Sequence, residues 1–142
     1  MPEIFLDDTI PPVTGEQVNA ERDRRINSGV IFNGKHYQTG QDDRENIAGK
    51  SLAAFMAIVG GAQPGDIYWS GKKDAAGTPI PFVWIATDNS YNPMDAQTMV
   101  AFGTAVADRK ELLIFRASAM KKQNPIPLDY KSDVHWPEGL DP

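Results

Sequence analysis

VIFNGKHYQTGQDDRENIAGKSLAAFMAIVGG, residues 30–61, decides the fold. Val30, Ile31 and Phe32 precede Asn33 and Gly34, and His36, Tyr37, Gln38 and Thr39 follow them. Asn-Gly between two apolar-containing runs predicts a β-hairpin with a type I′ turn, because both central residues of that turn need positive φ. The next twenty residues change period. Ile47, Ala48, Ser51, Leu52, Phe55, Ile58 and Val59 recur at helical spacing and predict one face of a helix. Asp42 or Asp43 can cap its start, Asp43 and Glu45 suit the positive end of its dipole, and Gly60 and Gly61 stop it. A hairpin followed by a helix predicts an α+β chain, with Leu52 and Phe55 at the centre of the core.

The same reading extends upstream. Thr14 and Gln17 have the spacing of a capping box, so a first helix runs from residue 14 toward Gly29, a C-terminal capping glycine. Val18 and Ile26 are its only large apolar residues, so it has little to bury and either lies on a partner or packs by one edge. Residues 1–13 are acidic, carry Pro2, Pro11 and Pro12, and read as an extended arm. Its Ile4, Phe5 and Leu6 are apolar, and Phe5 and Leu6 are candidate partner-binding residues.

Downstream, residues 66–72 and 78–88 read as a second hairpin joined by a polar, glycine-containing loop. Phe82, Trp84 and Ala86 share one face of the longer strand and Val83 and Ile85 the other, while Pro79 and Pro81 confine its start to an edge or bulge. A long third helix starts near Asp95 and ends before Pro125, with Met99, Val106, Leu113 and Met120 repeating every seven residues. Its C-terminal half either projects toward a partner or bends back onto the sheet. Residues 124–142 read as a proline-rich tail with Ile126, Leu128, Tyr130 and Trp136 as candidate docking anchors, which either lies on a partner or folds back on its own helices. The expected organisation is an extended arm (1–13), an α+β domain (14–123) and the tail. Within the domain the order is helix, hairpin, helix, hairpin and long helix around one small antiparallel sheet. Leu52, Phe55, Val83, Ile85, Val106 and Leu113 are the expected core.

Composition narrows the function. The formal net charge is −5 and the few Lys and Arg clusters are short, which argues against nucleic acid as a partner. There is no cysteine, so disulfides, thiolate nucleophiles and thiolate metal sites are excluded. The N-terminus lacks the pattern of a signal peptide and no apolar run approaches a membrane span, so the expectation is a chain that folds in cytoplasm and has no membrane partner.

No chemistry-bearing pattern emerges. His36 and His135 lack the spacing of a zinc helix. The pairs Asp7, Asp8 and Asp42, Asp43 are explained by solvation and capping, and Asp88, Asn89 and Ser90 read as a turn. No nucleophile elbow or phosphate loop occurs. Tyr68, Trp69, Phe82 and Trp84 read as core in preference to a sugar-stacking platform. The expectation is a protein that is not an enzyme and holds no cofactor or metal.

Three segments taken together carry a family resemblance: ERDRRINSGVIFNGKHYQT (21–39), DRENIAGKSLAAFMAIV (43–59) and FVWIATDNSYNPMDAQTMVAFGTAVADRKELLIFRASAMK (82–121). In this order and spacing they resemble a domain of uncharacterised function from tailed bacteriophages and prophages, found in tail-fibre, tail-assembly and baseplate-region proteins. In longer members the domain ends a fibre-like protein; here the chain reads as the domain plus two tails. The resemblance implies no catalytic residues. It implies a structural or assembly component of a phage tail, at the baseplate or fibre base, assembled in the host cytoplasm and located in the virion. Its expected partners are other tail or tail-fibre proteins, with self-association in a symmetric assembly. The alternative is a transient tail-fibre assembly chaperone, and a third reading is a small carbohydrate-binding or hydrolytic module.

Overall fold

The structure, a computed structural model, describes residues 10–136. The arm residues Phe5 and Leu6, the Asp7, Asp8 pair and the last six residues lie outside that range. Among the described residues the order is α1 (Gly15–Ile26), β1 (Val30–Phe32), β2 (Lys35–Tyr37), α2 (Gln41–Val59), β3 (Val83–Ile85), β4 (Tyr91–Pro93) and α3 (Ala96–Lys121), closed by a 3-10 turn at Asp133–His135. The chain is α+β, as the helix and hairpin signals predict.

Each helix begins where the sequence offers a cap. Thr14 accepts from the Gln17 N–H while the Gln17 side chain accepts from the Thr14 N–H, a reciprocal box that satisfies two orphan donors. Asp95 accepts from the Thr98 N–H at 2.7 Å and from the Gly65 N–H at 2.8 Å, so it starts α3 and ties the preceding loop to it. The Thr98 side chain first, then the Gly65 N–H, hold the Asp95 carboxyl below its ordinary range. At α2 the N-cap is Gly40, not an aspartate; Asp43 sits three residues on and accepts from the Gly40 N–H.

The first hairpin has the predicted turn, with φ of 50° at Asn33 and 79° at Gly34. Val30, Phe32 and Tyr37 point inward and Ile31 outward. The second hairpin differs from expectation. Val83–Ile85 pairs with Tyr91–Pro93, not with residues 66–72. The turn between them is made by Asp88, which accepts from the Ser90 N–H, and by Asn89 at φ 68°. Residues 67–72 do run beside 80–82, where the Lys72 and Ile67 carbonyls accept from the Ile80 and Phe82 N–H groups, but Pro79 and Pro81 lack the donors a ladder needs. The sheet is therefore two separate two-stranded ribbons, not one.

Both ribbons close on Phe102, which is fully buried. Tyr37, Phe32 and Trp84 place their rings 4.8, 5.2 and 6.2 Å from its centroid. Ile47 and Ala54 of α2 and Met94, Ala96, Met99 and Val106 complete this first core. A second core lies farther along the same helix, where Leu113, Ala117 and Met120 meet Val18 and Ile26 of α1 and Trp136. The C-terminal half of α3 thus neither projects nor folds onto a sheet; α1 and the tail cover it.

Of the expected core, Val106 and Leu113 are buried and Val83 is half-buried. Leu52, Phe55 and Ile85 are exposed at 61, 55 and 51%. The correction for α2 has a local cause. A Cβ built on Gly103 would lie 2.5 Å from the Ser51 hydroxyl oxygen, so the two helices cross closely there. Small side chains fit such a crossing, and the row through Ile47, Ser51 and Ala54 turns inward in place of the row through Leu52 and Phe55.

Two substitutions separate these assignments. Phe102→Ala is expected to cost about 3–5 kcal/mol, whereas Phe55→Ala in dilute solution is expected to stay within about 0.5 kcal/mol. Urea unfolding of the two variants beside the parent chain measures both.

Candidate functional site

α2 and α3 run antiparallel, with the Gln97 side chain of α3 donating to the Ala62 carbonyl just past α2, and Gly103 facing Ser51. Turning Ile47, Ser51 and Ala54 inward, with Ala57 and Ile58 partly buried beside them, leaves Leu52, Phe55, Met56 and Val59 facing solvent. From Ser51 to Gly65 the sequence has no charged residue, and from Ala96 to Ala107 it has none either. The result is a two-helix surface with Leu52, Phe55, Met56 and Val59 exposed at 61, 55, 64 and 74%. Phe55 and Leu52 wall an open groove of about 380 Å³ whose other wall is Val100, Thr104 and Ala107. A second concavity, of about 390 Å³, continues it past Ala48 and Gly103 to Arg44 and Lys110. At roughly 150–200 Å² per full side chain, the four large residues expose roughly 450 Å², within the range of the largest apolar patch on a monomer, which is often functional.

The tail tells a different story. Of the two arrangements open to the tail, Trp136 takes the fold-back one: it is 4% exposed and packs in the second core. Its indole N–H donates to the Tyr130 carbonyl at 2.7 Å, and the Arg25 guanidinium lies 5.2 Å from its ring. Ile126 and Tyr130 are half-buried against the same core. Only Leu128, at 66%, stands out in the solvent among the four tail anchors. It borders an apolar recess with Ile10, Pro11, Pro12 and Val13.

The polar first helix becomes intelligible here. Arg25 and Glu21 are buried and pair at 2.7 Å. Arg25 also donates to the Lys131 carbonyl and to Asp133, both at 2.8 Å, which anchors the tail to α1. Glu21 takes two further bonds from Arg24. Those bonds from Arg24, then those from Arg25, outweigh burial and hold the Glu21 carboxyl below its ordinary value.

The remaining candidates have structural partners. His36 Nε2 lies 3.0 Å from the Ser28 carbonyl, so that nitrogen carries the proton, and Nδ1 meets the Thr87 hydroxyl at 2.7 Å. His135 pairs with Asp129 at 2.8 Å. Asp88 is held at about 2 by the Ser90 hydroxyl and N–H and by Lys35. Among the described residues no three His, Cys, Asp or Glu side chains gather to hold a metal ion, and no helix is long and apolar enough to cross a membrane. Phe82 is buried and Trp69 and Trp84 half-buried, while Tyr68 is exposed. Sequence reasoning missed the α2 face because it assigned that apolar row to the core. The signal available was the unbroken apolar run from Leu52 to Val59, more than one buried stripe requires.

A family model described as a domain of unknown function, DUF4376, matches residues 11–133, and the chain belongs to that family. No curated protein and no solved structure matches it.

The Glu21 geometry sets an acid response. A carboxyl whose folded-state pKa is lowered contributes fully above its unfolded value, about 4.3, and loses that contribution as pH falls through the folded value. Melting temperature is therefore expected to fall with pH below about 4.3. Glu21→Gln is expected to lower stability at pH 7 by about 1.5–3 kcal/mol and to flatten that acid slope, as thermal melts from pH 7 to pH 3 would show.

Proposed function

We propose that this chain is a structural or assembly component of a bacteriophage tail, at the baseplate or fibre base, and that it works by protein–protein docking. The observation that carries the docking reading is the charge-free apolar face of α2, with Leu52, Phe55, Met56 and Val59 left to solvent on a well-packed domain. A monomer gains nothing from four large exposed apolar side chains on one helix; a subunit does, because each contributes on the order of 1.5–3 kcal/mol when covered.

The tail setting rests on the resemblance carried by residues 21–39, 43–59 and 82–121. Two of these segments build the face itself. The Asp43–Ile47 stretch forms the first turns of α2, and the run through Asp95 sets the start of α3. Two of the segments that carry the resemblance thus contain the frame that presents the surface.

Mass spectrometry of purified particles tests this. The chain is expected among the particle proteins, and a Leu52→Glu, Phe55→Glu chain is expected to be absent from particles while remaining folded by circular dichroism. Presence in assembly extracts but not in finished particles would replace the subunit reading with that of a chaperone. Incorporation of the double variant at the parent level would remove the α2 face from the docking role.

A further inference from the structure

We infer that the first occupant of the α2 face is a second copy of this chain, joined by a two-fold axis perpendicular to α2. The inference rests on the docking reading and names its partner.

The spacing of the exposed row supports it. Ala48, Leu52, Phe55 and Val59 lie at i, i+4, i+7 and i+11, the seam along which helices pack. That spacing reads the same in both directions. A two-fold across α2 therefore maps the row onto itself, setting Leu52 against Phe55 of the second copy and Ala48 against Val59. Each pairing is apolar, and the outer one places a small side chain opposite a larger one. An isologous contact needs such self-complementarity.

Charge selects the antiparallel arrangement. The charged residues of α2 are confined to its first turns, apart from Lys50. Parallel pairing would bring Asp42 and Glu45 of the two copies together. Antiparallel pairing sets each charged end beyond the last turn of the other helix, beside Gly60 and Gly61, and leaves only uncharged residues along the seam.

The area is sufficient. Leu52, Phe55 and Val59 of the row and Met56 at its flank present roughly 450 Å² on each copy, an upper bound of roughly 900 Å² from these side chains. The adjoining groove wall of α3, from Val100 to Ala107, brings the total into the range of about 1,200–2,000 Å² typical of specific interfaces. Four helices, two from each chain, then form one bundle.

Sedimentation equilibrium of the full chain tests the inference. The expected species has twice the 15.6 kDa chain mass, and Leu52→Glu and Phe55→Glu, both at exposed positions, are each expected to return the single-chain mass without lowering the melting temperature of dilute protein. Because the chain contains no cysteine, single thiols report the register. Mixed Leu52→Cys and Phe55→Cys chains are expected to cross-link on mild oxidation, and an Ile85→Cys chain is not. A parent chain that stays monomeric at a few hundred micromolar overturns the inference. So does a dimer that survives both Glu variants, or one that cross-links through Ile85→Cys. A monomer whose double variant still fails to enter particles overturns only this inference, leaving the docking reading with a different partner.

Discussion

Met99, Phe102 and Val106 face one core and Leu113, Ala117 and Met120 face another, yet all six lie on one continuous helix. A 26-residue helix is about 39 Å long, more than one small core can cover. Every other element is placed by the need to bury its apolar stripe. The two ribbons and α2 take the N-terminal half, around Phe102. α1 and the tail take the C-terminal half. Because rings from both ribbons reach Phe102 without pairing to each other, the fold needs no continuous sheet, and the prolines at 79 and 81 do no harm.

The second core has a harder problem, since α1 brings only two large apolar residues to it. It closes by burying charge instead. An uncompensated guanidinium inside a protein is strongly unfavourable, and removing one member of a buried pair leaves the other stranded. Arg25 avoids this through Glu21, Asp133, the Lys131 carbonyl and the face of Trp136. Two of these partners come from the tail and a third is its tryptophan. The tail is therefore part of the domain up to Trp136, because the charge it satisfies sits under it.

What was legible in the sequence follows from how local each cause is. The Asn33, Gly34 turn, the Thr14 box and the start of α3 at Asp95 depend on a few neighbouring residues, and all three occur as expected. Choices that depend on distant residues were misread. The partner of the strand at Val83 was assigned by proximity to residues 66–72, while the turn at Asp88 to Ser90, noticed as a turn, supplied a nearer one. The orientation of α2 could not be derived from its own period, because the helix is apolar on more than one side and the choice is made by Gly103 on another helix. The tail anchors leave docking and folding back both open for the same reason: Arg25, the group that holds them, lies more than a hundred residues away.

The misreading of α2 points to the surface that matters most. A helix that is apolar around most of its circumference suits burial on two sides. α3 covers one side here. Beside that contact a face remains along which the charge-free stretches of the two helices, 51–59 and 96–107, lie side by side. Charge kept off this face suits the docking role proposed above, since desolvating a charge in an interface is costly and desolvating Leu52 or Val59 is favourable. The close crossing at Gly103 sets the spacing of the two helices beneath that face, so the proposed docking would leave little of the frame to reorganise.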